Sequence, residues 1–328
     1  MLVAAMAWAT GVQAQSPPPG TPPTVVDLAP VVVSGVQPGP GMWKVTAGNG
    51  HVLWILGTVS PLPAKLEWRA DEVRAVIASA GEVLGTPGWT VDADVGFFKG
   101  LTLLPSAMKA AHDPQGRRLE EILPAPLYAR WLPLKQRYLG RDGGVEKDRP
   151  LVAATRLYAE ALKSVGLGRG TPVSAILDKA YKARGLKPVV TRVVIKVDDP
   201  RQALKEVRAS TLQDVQCFQR TLDVVEHQLP LLVERANAWS VGDTEALQRL
   251  AVQSQYDACV GAVADSEFGR RRGLLGVEQQ AADKWLQVAR AALARNATTF
   301  AVVPVHTLVQ PGGYLARLEQ DGFQVEAP

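Results

Sequence analysis

The stretch "MWKVTAGNGHVLWILGTVSPLP", residues 42–63, decides how the fold is read. Two apolar runs flank Asn49-Gly50. An Asn-Gly pair supplies the two positive φ angles of a type I′ turn, so the stretch predicts a β-hairpin. Alternation puts Trp43 and Trp54 on its core face. The second run breaks off at Gly57-Thr58-Val59-Ser60. A strand that stops at Gly-Thr hands its next side chains to a cleft, which makes Ser60 the first candidate site residue.

Working outward, a helix is expected over about 67–80, with Val73, Val76 and Ile77 on its apolar face. "EVLGTPG" at 82–88 reads as a short strand ending in a turn. Residues 89–118 are rich in Gly, Pro and bulky apolar side chains, which suggests a packed loop or short helices. Helices follow near 119–139, 151–165 and 172–184. Glu120 and Glu121 stand where acids favour a helix N-terminus. "KPVVTRVVIKV" at 187–197 is β-branched and predicts a buried strand. A long helical region runs from about 200 to 237. "WSVGD" then turns into a helix with Asp243 as its N-cap. Another helix covers about 277–295. "TTFAVVPVH" is the last long strand, followed by a turn, a helix, Gly322 as its stop signal and a short final strand. Both ends share one plan of strand, turn, helix and short strand. The fold class is α/β (α+β): a mixed central sheet built from N- and C-terminal strand–turn–helix units, with a large helical middle region. No internal repeat of fixed period is visible.

The chain has 328 residues, 47% hydrophobic and 21% charged, which suits a globular protein with a sizeable core. The formal net charge of +4 is small, and basic residues are interleaved with acidic ones. That pattern excludes a nucleic-acid-binding surface as the main reading. "GRRRG" at 269–273 reads as a solvated loop. Residues 2–9 are apolar, and Val12-Gln13-Ala14 has small residues at the −3 and −1 positions of a cleavage site. Residues 1–14 are read as a signal peptide cut after Ala14, although the segment lacks the Lys or Arg of a leader's first part, which an upstream start would supply. Residues 15–41 form a Pro/Gly-rich linker, whose middle, "VVDLAPVVVSG", could pair as a strand. Residues 42–328 form a single domain with a helical insertion at about 119–295. No later stretch is apolar for the roughly 20 residues a membrane span needs. The expected location is periplasmic or secreted. There, an even cysteine count favours a disulfide between Cys217 and Cys259, two buried thiols being the alternative.

The plan and its residues resemble the TraB/GumN family, which also contains the Tiki-type proteases. The resemblance is carried by "MWKVTAGNGHVLWILGTVSPLP" at the front, "AWSVGD" at 238–243, and "TTFAVVPVHTLVQPGGYLARLEQDGFQV" at 298–325. It implies a cleft where two Gly-x-x-His turns and a strand-end Glu hold a divalent metal for hydrolysis. Such ligands bind the ion and leave a position where bound water ionises near neutral pH. This chain departs from that set. The first turn is Gly57-Thr58-Val59-Ser60, with serine in place of histidine. The second, aligned through Leu308, Pro311 and Gly313, is Pro304-Val305-His306-Thr307, with proline for glycine and threonine for histidine. The glutamate position falls at Gly85 or Thr86. A further family acid is missing from 187–197, and an arginine expected shortly before Trp285 is missing from "AADKW".

His306 lies one position before the expected histidine, and on a strand one position reverses the side chain. It is read as an ordinary strand-end histidine and, second, as a contributor to the cleft. Ser60 also permits a serine-hydrolase reading, with His306 as base and Asp92 or Asp94 as orienter, but there is no Gly-x-Ser-x-Gly elbow. His51 is expected to face solvent, His112 to lie in a loop and His227 in a helix. Trp131 and Trp239 are expected to pack between helices. The leading expectation is a catalytically degenerate family member that binds a periplasmic protein or a small ligand, with no metal and no cofactor. A metal-dependent hydrolase of the family type is the alternative.

Overall fold

The computed structural model describes residues 35–93, 97–168, 172–209, 214–250, 259–261, 264 and 266–328, with backbone alone for 97–101. The expected signal peptide, the expected linker up to residue 34 and Asp94 lie outside them.

The hairpin forms from β1 (Met42–Thr46) and β2 (Val52–Thr58). Short strands β3 (Leu62–Pro63), β4 (Glu82–Leu84), β5 (Trp89–Asp92), β6 (Leu167–Gly168) and β7 (Val193–Lys196) follow, then β8 (Thr298–Pro304) and β9 (Gln324–Glu326). The central sheet has the order β4-β8-β2-β1-β9. β8 runs parallel to both β2 and β4, while β1 is antiparallel to β2 and β9. N- and C-terminal units thus interlock into one mixed sheet. β8 is buried almost throughout because it has neighbours on both edges and helices over it. Its all-apolar run "FAVV" is what such a position requires.

The hairpin turn differs from the expected type I′. The N–H of Gly50 donates to the carbonyl of Ala47, which puts Gly48-Asn49 at the turn centre. Gly50 then takes φ 79°. This is a three-residue loop closed by a left-handed glycine. The Asn49 side chain accepts from the His51 N–H at 3.0 Å, which favours this turn. His51 does not simply face solvent: its Nδ1 is 2.8 Å from the Leu293 carbonyl. Trp43 pairs with Ile55 and Trp54 with Lys44, so the two tryptophans point to opposite faces. Trp43 is buried and Trp54 half-buried.

The helices run Asp71–Ser79, Phe97–Ala111, Leu119–Ile122, Ala125–Tyr138, Pro150–Ser164, Pro172–Ala183, Pro200–Ala209, Asp214–His227, Leu229–Val241, Thr244–Arg249, Glu267–Arg271, Val277–Arg295, Val305–Val309 and Tyr314–Gln320. The expected 119–139 helix is broken at Leu123-Pro124, since a proline disfavours helix in the residue before it. Glu121 caps the first piece by accepting from the Arg118 N–H. Gly242 (φ 78°) ends the Leu229–Val241 helix, and Asp243 caps the next by accepting from the Ala246 N–H at 2.9 Å. Trp131 packs on Phe218 and Trp239 on Trp68.

Two further readings differ from the structure. The strand at 187–197 is shorter and only half covered: β7 pairs with β5 alone, and Val190 and Val194 are exposed. The end of the linker is not loose: Gln37 bridges Trp68, and the Gly39 N–H donates to the Ser240 carbonyl. Cys217 and Cys259 form a disulfide, with Cα atoms 4.6 Å apart. No helix of the described residues is long and apolar enough to cross a membrane.

Candidate functional site

β2, β4 and β8 are mutually parallel, so their carboxyl ends open on one edge of the sheet, where α/β proteins commonly place ligands. Thr58 stands opposite Pro304, and Leu84 opposite Ala301. The three chain exits, at Val59-Ser60, Gly85-Thr86 and Val305-His306-Thr307, therefore converge on one cleft of about 1280 Å³.

Two glycines let the walls close up. A Cβ on Gly57 would lie 2.4 Å from the Trp43 ring and 2.8 Å from Val305 Cγ2. Gly57 is buried behind the wall and does not line the cleft. A Cβ on Gly85 would lie 2.8 Å from the Val189 carbonyl oxygen. Gly85 is thus a packing position. Its carbonyl accepts from Thr191 Oγ1 at 2.8 Å and from Trp285 Nε1 at 3.2 Å. Of the two positions matched to the family glutamate, only Thr86 has room for a longer side chain on this ground.

Ser60, Thr86, Pro304, His306 and Thr307 all line the cleft. His306 does so because the chain turns helical at Val305: successive side chains then differ by about 100°, not by the half-turn of a strand. Asp92 goes elsewhere. It is exposed on β5 and lines a separate hollow with Lys196, Asp198 and Arg201. The serine-hydrolase arrangement therefore lacks Asp92 as its orienter. His112 follows the Phe97–Ala111 helix, near Asp148, and His227 ends a helix with its side chain exposed; neither lines the cleft.

The most informative cleft residue is one the sequence did not single out. Arg235 is only 5% exposed and lines the cleft. Its Nη2 donates to the Ser60 carbonyl at 2.5 Å. One turn on, Trp239 Nε1 donates to the Gly57 carbonyl at 2.8 Å. The i, i+4 spacing puts both on one helix face, so the helix holds the β2 exit at two points. In the sequence it stands as a single arginine among "LLVERANAWSV", one turn before Trp239, with nothing local to mark it as buried. The other lining residues missed are the buried phenols Tyr158, Tyr181 and Tyr314. Burial pushes the Tyr181 hydroxyl well above its ordinary value and Tyr314 to about 12, so both are neutral at physiological pH.

The donor set does not fit a divalent metal of the type the family resemblance implies. Ser60 and Thr307 offer hydroxyls, Gly85 offers no side chain, and Thr307 Oγ1 already donates to the Pro304 carbonyl at 3.0 Å. Neutral hydroxyls are weak ligands near pH 7. Among the described residues, no group of three His, Cys, Asp or Glu could hold a metal ion.

An interlocked mixed sheet, a helical insertion and a cleft at the parallel strand ends define an α/β scaffold whose two terminal units build one site. The chain belongs to the TraB/PrgY/gumN family, whose model matches residues 41–327. No curated protein and no solved structure matches the chain.

Proposed function

We propose that this is an exported, catalytically degenerate member of the TraB/PrgY/gumN family that acts in the periplasm by binding a ligand in the cleft. The observation that carries this reading is the make-up of the strand-end cleft. Hydroxyls of Ser60, Thr86 and Thr307 stand at the positions matched to the metal ligands, in the cleft that the buried Arg235 also lines. Apolar and aromatic side chains supply most of the remaining wall, as is common in small-molecule sites.

Zinc calorimetry and metal analysis on the purified mature protein test it. The expected result is no stoichiometric binding at micromolar zinc and no peptidase activity. Tight one-to-one zinc uptake by the unaltered chain would overturn the reading. Export predicts that native protein begins at Gln15, since the apolar segment ends at a small-x-small site. N-terminal sequencing that returned Met1 would contradict it.

A further inference from the structure

We propose that the cleft takes a neutral acyl compound, an amide or ester on an alkyl body, whose carbonyl end is held by the phenol hydroxyls of Tyr181 and Tyr314. This deepens the binding function proposed above and rests on it.

The two hydroxyls carry the choice of ligand. Tyr181 and Tyr314 are each 7% exposed and line the cleft. Among the described residues, neither hydroxyl has a hydrogen-bond partner. Neither is sealed from solvent, so each faces the cleft. Their rings are held in place. Tyr181 packs on Phe300 with ring centroids 6.3 Å apart, and Tyr314 meets Trp285 edge-on at 4.9 Å. The donors are therefore set before a ligand arrives. A purely apolar ligand would cover both without giving either a partner, which is unfavourable. Burial keeps both phenols protonated, and a phenol donates more readily than it accepts, so the complement is an acceptor oxygen. Two neutral donors hold a carbonyl without drawing a charge out of water. An ionic head seated against them would lose hydration and gain no opposite charge from either phenol.

The helix that carries Tyr181 sets the body of the ligand. Val173, Leu177 and Tyr181 recur at i, i+4 and i+8 of the Pro172–Ala183 helix, and all three are buried and line the cleft. They form one stripe of about 12 Å, apolar for two turns and ending in the hydroxyl. Leu84 and Leu162 add buried apolar wall. An alkyl chain laid along the stripe brings its carbonyl to Tyr181. At about 1280 Å³ the cleft exceeds the roughly 300–1,000 Å³ common for small-molecule sites, which gives room for an extended chain.

The test is isothermal titration of the full mature protein with N,N-dimethyldecanamide, beside the matching thioamide and decanoate. Sulfur in place of oxygen keeps the shape and weakens the acceptor. The amide is expected to bind about fivefold or more tightly than the thioamide, the worth of one neutral hydrogen bond. It is also expected to bind more tightly than decanoate. The double variant Tyr181→Phe/Tyr314→Phe keeps both rings and removes both donors, so the amide should lose its lead over the thioamide. Tyr128→Phe, which removes a phenol outside the cleft, should leave that lead unchanged. No amide binding, equal binding of amide and thioamide, or tighter binding of decanoate overturns the proposal on the unaltered chain, whether or not the double variant folds. A lead kept by the folded double variant overturns it as well. Zinc uptake separates the two levels of argument. Without it, failure of the amide removes only the ligand class; with it, the binding reading falls as well.

Discussion

The indole Nε1 of Trp239 donates a 2.8 Å hydrogen bond to the carbonyl oxygen of Gly57, tying the Leu229–Val241 helix to the end of β2. The two residues are 182 positions apart, so the contact fixes the helical insertion onto the sheet at the rim of the cleft. Trp239→Phe keeps most of the ring and removes the donor, leaving a buried carbonyl one partner short. The expected cost is about 2–3 kcal/mol, read from the urea midpoint. A change below about 0.5 kcal/mol would show that the bond contributes nothing to holding the insertion.

Gly57 itself is fixed by space rather than by backbone angle. A methyl group there meets the Trp43 ring and Val305 Cγ2 at clash distance. Both neighbours are buried and cannot swing away. Gly57→Ala should cost at least about 1–3 kcal/mol. Gly48→Ala in the hairpin turn meets nothing within 4 Å and should change stability by less than about 0.5 kcal/mol. Equal effects from the two substitutions would refute the steric account.

The fold was legible where local pattern and tertiary environment agree. Residues 277–295 were read as a helix and form one with those bounds, because an apolar stripe repeats at helical period over five turns. The β8 run and the Asp243 cap were equally plain. What stayed hidden depends on neighbours distant in sequence. β7 reads as buried from its β-branched residues, yet it lies in a two-stranded sheet with half its side chains in solvent. The site was legible as a set of positions, since strand ends and turns mark it. Arg235 was not legible, because an arginine in a helix is ordinarily solvated and only the tertiary fold buries it. For His306 the strand rule was applied two residues past the end of the strand, where the chain is already helical.

Alkaline titration offers a check on cleft burial. Tyr314 ionises at 10.0 when unburied and at about 12 in the native protein, because burial disfavours the phenolate. Its folded value is raised, so its contribution is intact below pH 10 and is lost as pH rises toward 12. At pH 11 the loss is about 1.4 kcal/mol. Tyr181 shifts in the same direction and adds to the slope of the unaltered protein. Tyr314→Phe should therefore lose less stability than wild type between pH 9 and 11, by about that amount. Parallel curves would mean that the phenol is solvated.

The disulfide joins residues 42 positions apart, between the Asp214–His227 helix and the segment beginning at Cys259. Cross-linking a loop of that length lowers denatured-chain entropy by about 4 kcal/mol at 25 °C in the chain-entropy model. Cys217 is fully buried, so the bond should resist reduction in the native state and yield in denaturant. Reduced protein, or a Cys217→Ala/Cys259→Ala variant, should unfold at a markedly lower guanidinium midpoint. An unchanged midpoint would show that the bridge closes a loop already structured in the denatured chain.

Side-chain replacement should install the metal site that the family resemblance implies, if the cleft backbone has the geometry that such a site needs. Ser60→His and Thr307→His place imidazoles at two exits that line one cleft. The carboxylate belongs at Thr86, since a side chain on Gly85 would strike the Val189 carbonyl. Pro304, standing where the family has glycine, is no obstacle: it sits at φ −60° and ψ 131°, ordinary extended backbone ahead of the Val305–Val309 helix. The triple variant Ser60→His/Thr86→Glu/Thr307→His then presents two neutral imidazoles and a carboxylate around an open position, a donor set suited to zinc. Calorimetry should show one-to-one zinc binding in the triple variant. The double histidine variant should bind about tenfold or more weakly, since it lacks the charged ligand. Arg235 works against the new site, as a buried cation near an incoming cation raises its cost. Adding Arg235→Met should therefore tighten zinc binding further. If neither background binds zinc, the three side chains diverge, and the path of the chain, not only the residues on it, is unsuited to a metal site.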